Sequence, residues 1–164
     1  MNTSDIRPIT REEIPRCVEV IRESFLTVAR ELDLKKETSP RFTGFSISAE
    51  RLYYQFDIEK RPMLCICDGD KIVGYYSLSP MVDKQIELNN LAVLPECRHQ
   101  GIGEMLMQDG FTRAKSQGCE RVYVSIVDTN KQLRAWYESL GFDYVGARKF
   151  DGFDFLCGDM VKHI

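Results

Sequence analysis

Residues 88–118 read LNNLAVLPECRHQGIGEMLMQDGFTRAKSQG, and three kinds of segment follow one another in them. Residues 88–95 are an apolar run with the look of a buried strand. Residues 96–103 are a short basic loop that contains Gly101 and Gly103. Residues 102–117 read as a helix, and Gly118 ends it. A strand, a glycine-containing turn and a helix N-terminus together make an anion site. The first N–H groups of a helix lack intrahelical acceptors and converge on one point, and the macrodipole favours negative charge there. Gly101 and Gly103 let a phosphate approach the backbone closely. The loop therefore reads as a pyrophosphate grip. Two familiar phosphate loops do not match it. No Lys-Ser or Lys-Thr follows these glycines, and Leu106 stands where G-x-G-x-x-G needs its third glycine.

Upstream, residues 62–67 and 71–79 read as strands joined by Asp68-Gly69-Asp70, a hairpin turn signal. Residues 82–94 are the third strand of that meander and lead into the loop. Earlier still, residues 6–9 form a short strand, and Thr10-Arg11-Glu12-Glu13 is a capping box. The helix it opens has Pro15 in its first turn and a stripe of Ile14, Cys17, Val18, Ile21, Phe25, Val28 and Ala29. Residues 33–46 are polar and irregular, and Ser48 caps a second helix that runs to residue 58. The helix 102–117 carries Ile102, Met105, Leu106 and Ala114 on one face and Met107 and Phe111 on a flank, a spread that implies burial on two sides. Downstream, residues 121–127 are apolar on both faces, as in the middle of a sheet. Residues 130–140 make a short helix closed by Gly141, and residues 142–148 and 153–161 a final hairpin across Asp151-Gly152. The order is β α α β β β α β α β β. Strands 82–94 and 121–127 are parallel and need the helix between them as a crossover; the other pairings are antiparallel.

A chain of 164 residues is one domain, long enough to bury a proper core. The net charge of −3, with acids and bases interspersed, argues against a nucleic-acid partner. No apolar run approaches the roughly 18–20 residues of a membrane span, and MNTSDIRPITREE lacks the apolar centre of a secretory signal. The six cysteines, at 17, 65, 67, 97, 119 and 157, read as reduced thiols of a cytoplasmic protein. Cys65 and Cys67 share a strand face, but neither His is placed to complete a metal site, so core packing is expected and no metal.

The R-x-x-G-x-G pattern of Arg98, Gly101 and Gly103, set between a strand and a helix, resembles the loop of the GNAT superfamily of acetyl-CoA-dependent N-acetyltransferases. Residues 130–142, NKQLRAWYESLGF, are similar to a second segment of that family, N-x(6)-Y-x(3)-G-F. Taken alone, they are a short helix with Leu133, Trp136, Tyr137 and Leu140 as core residues. The resemblance implies more. It implies a mixed, mostly antiparallel α/β sheet whose central parallel pair splays in a V, as one N-acetyltransferase domain over residues 1–164. It implies acetyl-CoA as co-substrate, with the pyrophosphate on the amides of Arg98, His99, Gln100, Gly101, Ile102 and Gly103. The main chain of Leu91, Ala92 and Val93 would meet the thioester and pantetheine. Asn130 would contact the CoA arm. Tyr137 would stand at the sulfur and protonate the leaving thiolate. The acceptor site would come from residues 25–56 and 148–155. The acceptor itself is a small-molecule or peptide amine, and a homodimer is open to such a domain.

Acetyl transfer to an amine needs a neutral nucleophile, a polarised carbonyl and a protonated leaving group. A lysine-like amine of pKa about 10.4 is neutral in roughly one molecule in 2,500 at pH 7, a cost of about 4.6 kcal/mol. A carboxylate base is the natural remedy. Glu87 is a carboxylate in the middle of the strand before the loop, fourteen residues ahead of Gly101. The resemblance gives that place to a catalytic Glu; the residues alone allow equally a solvated Glu at a strand end. Asn89 and Asn90 are further groups able to orient water or substrate. No His or acid is spaced to activate Cys97 as a covalent carrier. A GNAT fold that binds acyl-CoA for sensing or assembly, without turnover, also fits the loop, but Glu87 together with Tyr137 favours the enzyme.

Overall fold

A computed structural model describes residues 5–164. Residues 1–4, the start of the stretch read above for a secretory signal, lie outside the described residues. Glu13 accepts a hydrogen bond from the Thr10 N–H at 2.8 Å, the return half of the capping box, across a 3-10 turn at Arg11–Glu13. Helix α1, Ile14–Glu31, follows and buries Ile14, Cys17, Val18, Val20 and Ile21. Phe25 and Val28 of the expected stripe are only half-buried, because they face a cleft. Two further helices, α2 (Thr43–Ser46) and α3 (Ala49–Asp57), precede the meander. The Ser48 side chain caps α3 by accepting from the Arg51 N–H at 3.2 Å. Segment 33–46 is thus not wholly irregular. Phe42, only 4% exposed, anchors α2, and a polar local composition hid that long-range contact.

Strands β1 (Arg7–Pro8), β2 (Met63–Asp68), β3 (Lys71–Pro80) and β4 (Gln85–Val93) lie in order and pair antiparallel. Strand β4 starts later than expected, since Val82 is 78% exposed and Asp83 and Lys84 both turn with positive φ. Helix α4, Ile102–Ser116, crosses over to β5, Arg121–Val127, which pairs parallel to β4. Helix α5, Lys131–Ser139, leads to β6 (Asp143–Lys149) and β7 (Leu156–His163), and β7 inserts between β5 and β6. The seven strands stand in the order β1-β2-β3-β4-β5-β7-β6, so β5 is interior, as its two apolar faces required. Residues 153–155 turn away from the sheet before β7 begins.

The two sheet faces are covered differently. Leu88 and Tyr76 point at α4, where a Cβ on Gly110 would lie 2.7 Å from Leu88 Cδ1 and 3.6 Å from Tyr76 Cε2. Glu87 and Asn89, one residue either side of Leu88, project to the opposite face, the face that α1 covers. Most apolar side chains belong to one core, and Phe42, Ala29 and Val127 centre a smaller cluster beyond the C-terminal end of β5. Cys17, Cys65, Cys97, Cys119 and Cys157 are free thiols, and burial pushes those of Cys17 and Cys65 up to about 12. None of the described helices is long and apolar enough to cross a membrane. The close approach at Gly110 has a measurable consequence. Gly110→Val is expected to cost about 1–3 kcal/mol by overpacking, read as a lower urea midpoint at constant m-value; an unchanged midpoint would contradict this packing.

Candidate active site

Gly101 is the N-cap of α4, with φ of 80°, and His99 is also left-handed at 59°. The first intrahelical bond runs from the Met105 N–H to the Gly101 carbonyl at 3.0 Å. The N–H groups of Ile102, Gly103 and Glu104 therefore precede that bond and have no intrahelical acceptor. A Cβ on Gly101 would meet nothing within 4 Å, so the space above the loop is open. On Gly103 it would come within 3.4 Å of the Trp136 ring, so α5 walls one side of the loop. Trp136 thus does more than fill core.

Arg98 is placed differently from its loop neighbours. Its guanidinium donates to the Ser24 carbonyl at 2.9 Å, to Ser24 Oγ at 3.2 Å and to the Val93 carbonyl at 3.3 Å. Its own N–H meets the Pro95 carbonyl at 3.4 Å, in a 3-10 turn at Pro95–Cys97. Partial burial lowers its pKa without discharging it. The side chain is a strut between loop, β4 and α1. His99, Gln100 and Gly101 are exposed and Ile102 is buried. The donors that face the open side of the loop are backbone N–H groups, with the dipole of a 15-residue helix behind them.

Below the loop the sheet opens. Strands β4 and β5 pair through only three positions, Gln85–Arg121, Ile86–Val122 and Glu87–Tyr123. Beyond Glu87 they diverge. The register of β4 against β3 slips between Tyr75 and Ser77, with Asn90 at φ 53°, so residues 90 and 91 form a bulge opposite Tyr76. The Leu94 N–H bonds the Val73 carbonyl at 2.9 Å. By strand alternation the polar groups of Val93 then point to the other edge, into the divergence. Ala92 is buried and pairs with Tyr75; Leu91 lines the opening.

A cleft of about 270 Å³ fills this opening. Glu87, Asn89, Leu91, Ser125, Asn130 and Tyr137 line it, and Phe25, Val28, Phe42, Phe153 and Phe155 continue its wall. The structure thus brings Glu87, Leu91, Asn130 and Tyr137, drawn from two distant segments, into one cavity. Asn130 caps α5, its side-chain oxygen accepting from the Leu133 N–H at 3.1 Å, which leaves its NH₂ group uncommitted. Tyr137 is 5% exposed and packs edge-on against Phe142 and Trp136. Burial raises the pKa of its phenol, which therefore stays neutral.

The Glu87 carboxyl lies in the cleft with its pKa raised, chiefly by burial. Arg61 and Arg148 oppose that shift, and Asp159 adds to it. Arg61 is mostly buried and paired with Glu59. Arg148 donates to Asp159 Oδ1 at 3.0 Å and to the Tyr123 hydroxyl at 2.5 Å, and Tyr123 in turn donates to Asp159. Burial, with Asp159 beside it, pushes Tyr123 up to about 12. Sequence reasoning missed this network. Its one signal was Asp159, a lone acid in the apolar run 156–161. No group of three or more His, Cys, Asp or Glu able to hold a metal occurs among the described residues.

Comparison with known proteins agrees with this geometry. The family model described as Acetyltransferase (GNAT) family matches residues 31–142. An uncharacterized N-acetyltransferase of Mycobacterium tuberculosis is 28% identical over 109 residues, 66% of this chain and 70% of that protein. A Bos taurus thialysine N-epsilon-acetyltransferase is 32% identical over 77 residues, 44% of this chain and 45% of that one. The fold is shared with the PaiA N-acetyltransferase from Thermoplasma acidophilum in complex with coenzyme A, at TM-score 0.80, 22% identity and full coverage of both chains. The ribosomal-protein-S18-alanine N-acetyltransferase of Escherichia coli aligns at TM-score 0.76 and 16% identity over 99% of this chain and 94% of that one. With its splayed sheet, its loop and its matched domain, the chain belongs to the GNAT family of acetyltransferases and is an N-acetyltransferase.

Proposed function

We propose that this enzyme moves an acetyl group from acetyl-CoA to a primary amine by direct attack, with Glu87 as base and Tyr137 as donor to the departing sulfur. One observation carries the reading: both side chains line a single cleft that opens where β4 leaves β5. The loop fits a pyrophosphate, for it offers the first-turn amides of α4 and an open approach over Gly101. The N–H groups of residues 99–103 are the proposed contacts, and Arg98 fixes their position from behind. Acetyl-CoA supplies the activated acyl group. The polar backbone of Leu91 and Val93 faces its thioester, and the amide of Asn130 its arm.

Two protons must leave the ammonium. Glu87 takes the first, and its raised pKa makes it a stronger base than an ordinary carboxylate. The new N–C bond forms as the C–S bond breaks, and the second proton ends on the sulfur side. A buried neutral phenol donates a hydrogen bond to the developing thiolate. Complete transfer to a thiolate of pKa about 8.5 is uphill for a phenol whose pKa is raised, so Tyr137 contributes chiefly through that hydrogen bond.

Three variants test the reading. Gly101→Ala carries only the left-handed strain, roughly 1–2 kcal/mol, while Gly101→Glu adds a charge where phosphate would sit. The Glu variant is expected to bind acetyl-CoA about 100-fold more weakly than the Ala variant by calorimetry, a difference of about 2.7 kcal/mol; equal affinities would refute the loop assignment. Tyr137→Phe should lower turnover by about 10–100-fold while the acetyl-CoA affinity stays put. Equal losses would make the phenol structural.

Glu87→Gln separates chemistry from stability. Its activity loss should be largest at low pH, where the amine is protonated, and should shrink toward an amine pKa of about 10; a loss independent of pH would mean positioning. Stability should move the other way. A carboxyl whose folded pKa is raised contributes stability at low pH and loses it as pH rises from the ordinary carboxylate range through the folded value. The melting temperature of Glu87→Gln should therefore match the parent below that range and exceed it at pH 7.

A further inference from the structure

The acceptor end of the cleft has a chemistry of its own. Phe25 of α1, Phe42 ahead of α2, and Phe153 and Phe155 ahead of β7 form a connected aromatic wall. Ring centroids lie 5.9 Å apart for Phe25–Phe42, 5.9 Å for Phe42–Phe155 and 4.8 Å for Phe153–Phe155. Polar pins hold the wall in place. The Ser39 hydroxyl, 0% exposed, donates to the Asp154 carboxylate and so ties segment 33–42 to the turn before β7. Arg41 covers the same turn, its Cδ within 2.9 Å of where a Cβ on Gly152 would stand. The Asp154 carboxylate is thereby engaged by Ser39.

Charge then discriminates among amines. Glu87 is the one ionisable acid among the residues lining the cleft, and no Lys, Arg or His lines it among the described residues. Arg148, Asp159 and Tyr123, beside Glu87, are engaged with one another. A polyamine or a lysine side on entry would carry a second charge into this wall with no partner, an expensive desolvation. An amino acid would bring a carboxylate with no cation to meet it. An uncharged apolar body loses nothing of that kind and gains contact with the rings.

We infer, on the basis of the transferase reading above, that the acceptor is a small primary monoamine with an aromatic or branched aliphatic body. One ammonium, beside Glu87, gives up its proton to that carboxylate. The amine nitrogen bonds the acetyl carbon, the C–S bond breaks, and the remaining proton released by the nitrogen ends on the thiol. The apolar body lies along Phe25, Phe42 and Phe155. The cleft of about 270 Å³ is shared with the thioester, so the part along the rings suits a body no larger than a single ring on a short chain.

The experiment measures thiol release from acetyl-CoA with phenethylamine and isoamylamine against spermidine, lysine and glutamate. Acetyl-CoA binding is followed separately by calorimetry. The expected result is a kcat/KM for phenethylamine about 100-fold above those of the charged amines. Phe155→Ala should raise its KM about tenfold at unchanged acetyl-CoA affinity, and Phe155→Asp should shift preference toward spermidine, which a merely structural Phe155 would not do. A preference for spermidine, lysine or glutamate in the parent enzyme overturns the inference and leaves the transferase standing. So does acetyl-CoA binding with no release on either apolar amine. Failure to bind acetyl-CoA overturns the transferase reading itself.

Discussion

The parting of β4 from β5 after Glu87 is the constraint on which the rest of the molecule depends. Two parallel strands in the middle of a sheet normally satisfy each other's backbone along their whole length. Here the pairing ends after three positions, and β4 runs six residues further alone on that edge. Three devices keep the opening from collapsing. Helix α4 grips one face so closely that Gly110 admits no side chain against Leu88. Asn90 turns the strand with a left-handed bulge. Arg98 caps the Val93 carbonyl and ties it to Ser24 of α1 on the other side. The result is a slot through the sheet, with the anion loop at one end and the aromatic wall at the other.

The ionisable groups divide their work along this slot. The loop's own cation is withdrawn into structure, so the donors the loop presents are amides and a helix dipole, which are permanent and indifferent to pH. Glu87, by contrast, is held in a partly buried position whose penalty Arg61 and Arg148 offset without pairing to it directly. A carboxylate locked in a bidentate ion pair would have its pKa lowered and would be a poor proton acceptor. The direct pairing is made at Asp159, which accepts from Arg148 and Tyr123.

Much of this was legible before any coordinates. The anion loop, the helix behind it and the Asn130–Phe142 segment are local patterns, written in glycine positions and a 3.6-residue period. The element order, the parallel pair and the interior place of β5 follow from periodicity and connection rules. The misses have a common cause. Helix α2 and the late start of β7 go with Phe42 meeting Phe155 across more than a hundred residues of chain. The Arg148–Asp159–Tyr123 network joins three strands, and Arg61 reaches Glu87 from the far end of the meander. None of these contacts has a period.

By itself, then, the sequence determined the fold class, the glycine loop at the start of α4 and the short helix that carries Tyr137, because each rests on near neighbours in the chain or on a segment whose spacing is its signature. The tertiary structure alone decided that Arg98 is a strut, that Trp136 borders the loop, and that one end of the cleft is aromatic with Glu87 the one charged side chain of its lining. Burial and the sum of surrounding charges are properties of a folded surface, assembled from α1, α2, β4, β5 and β7 together. No single stretch of chain carries them.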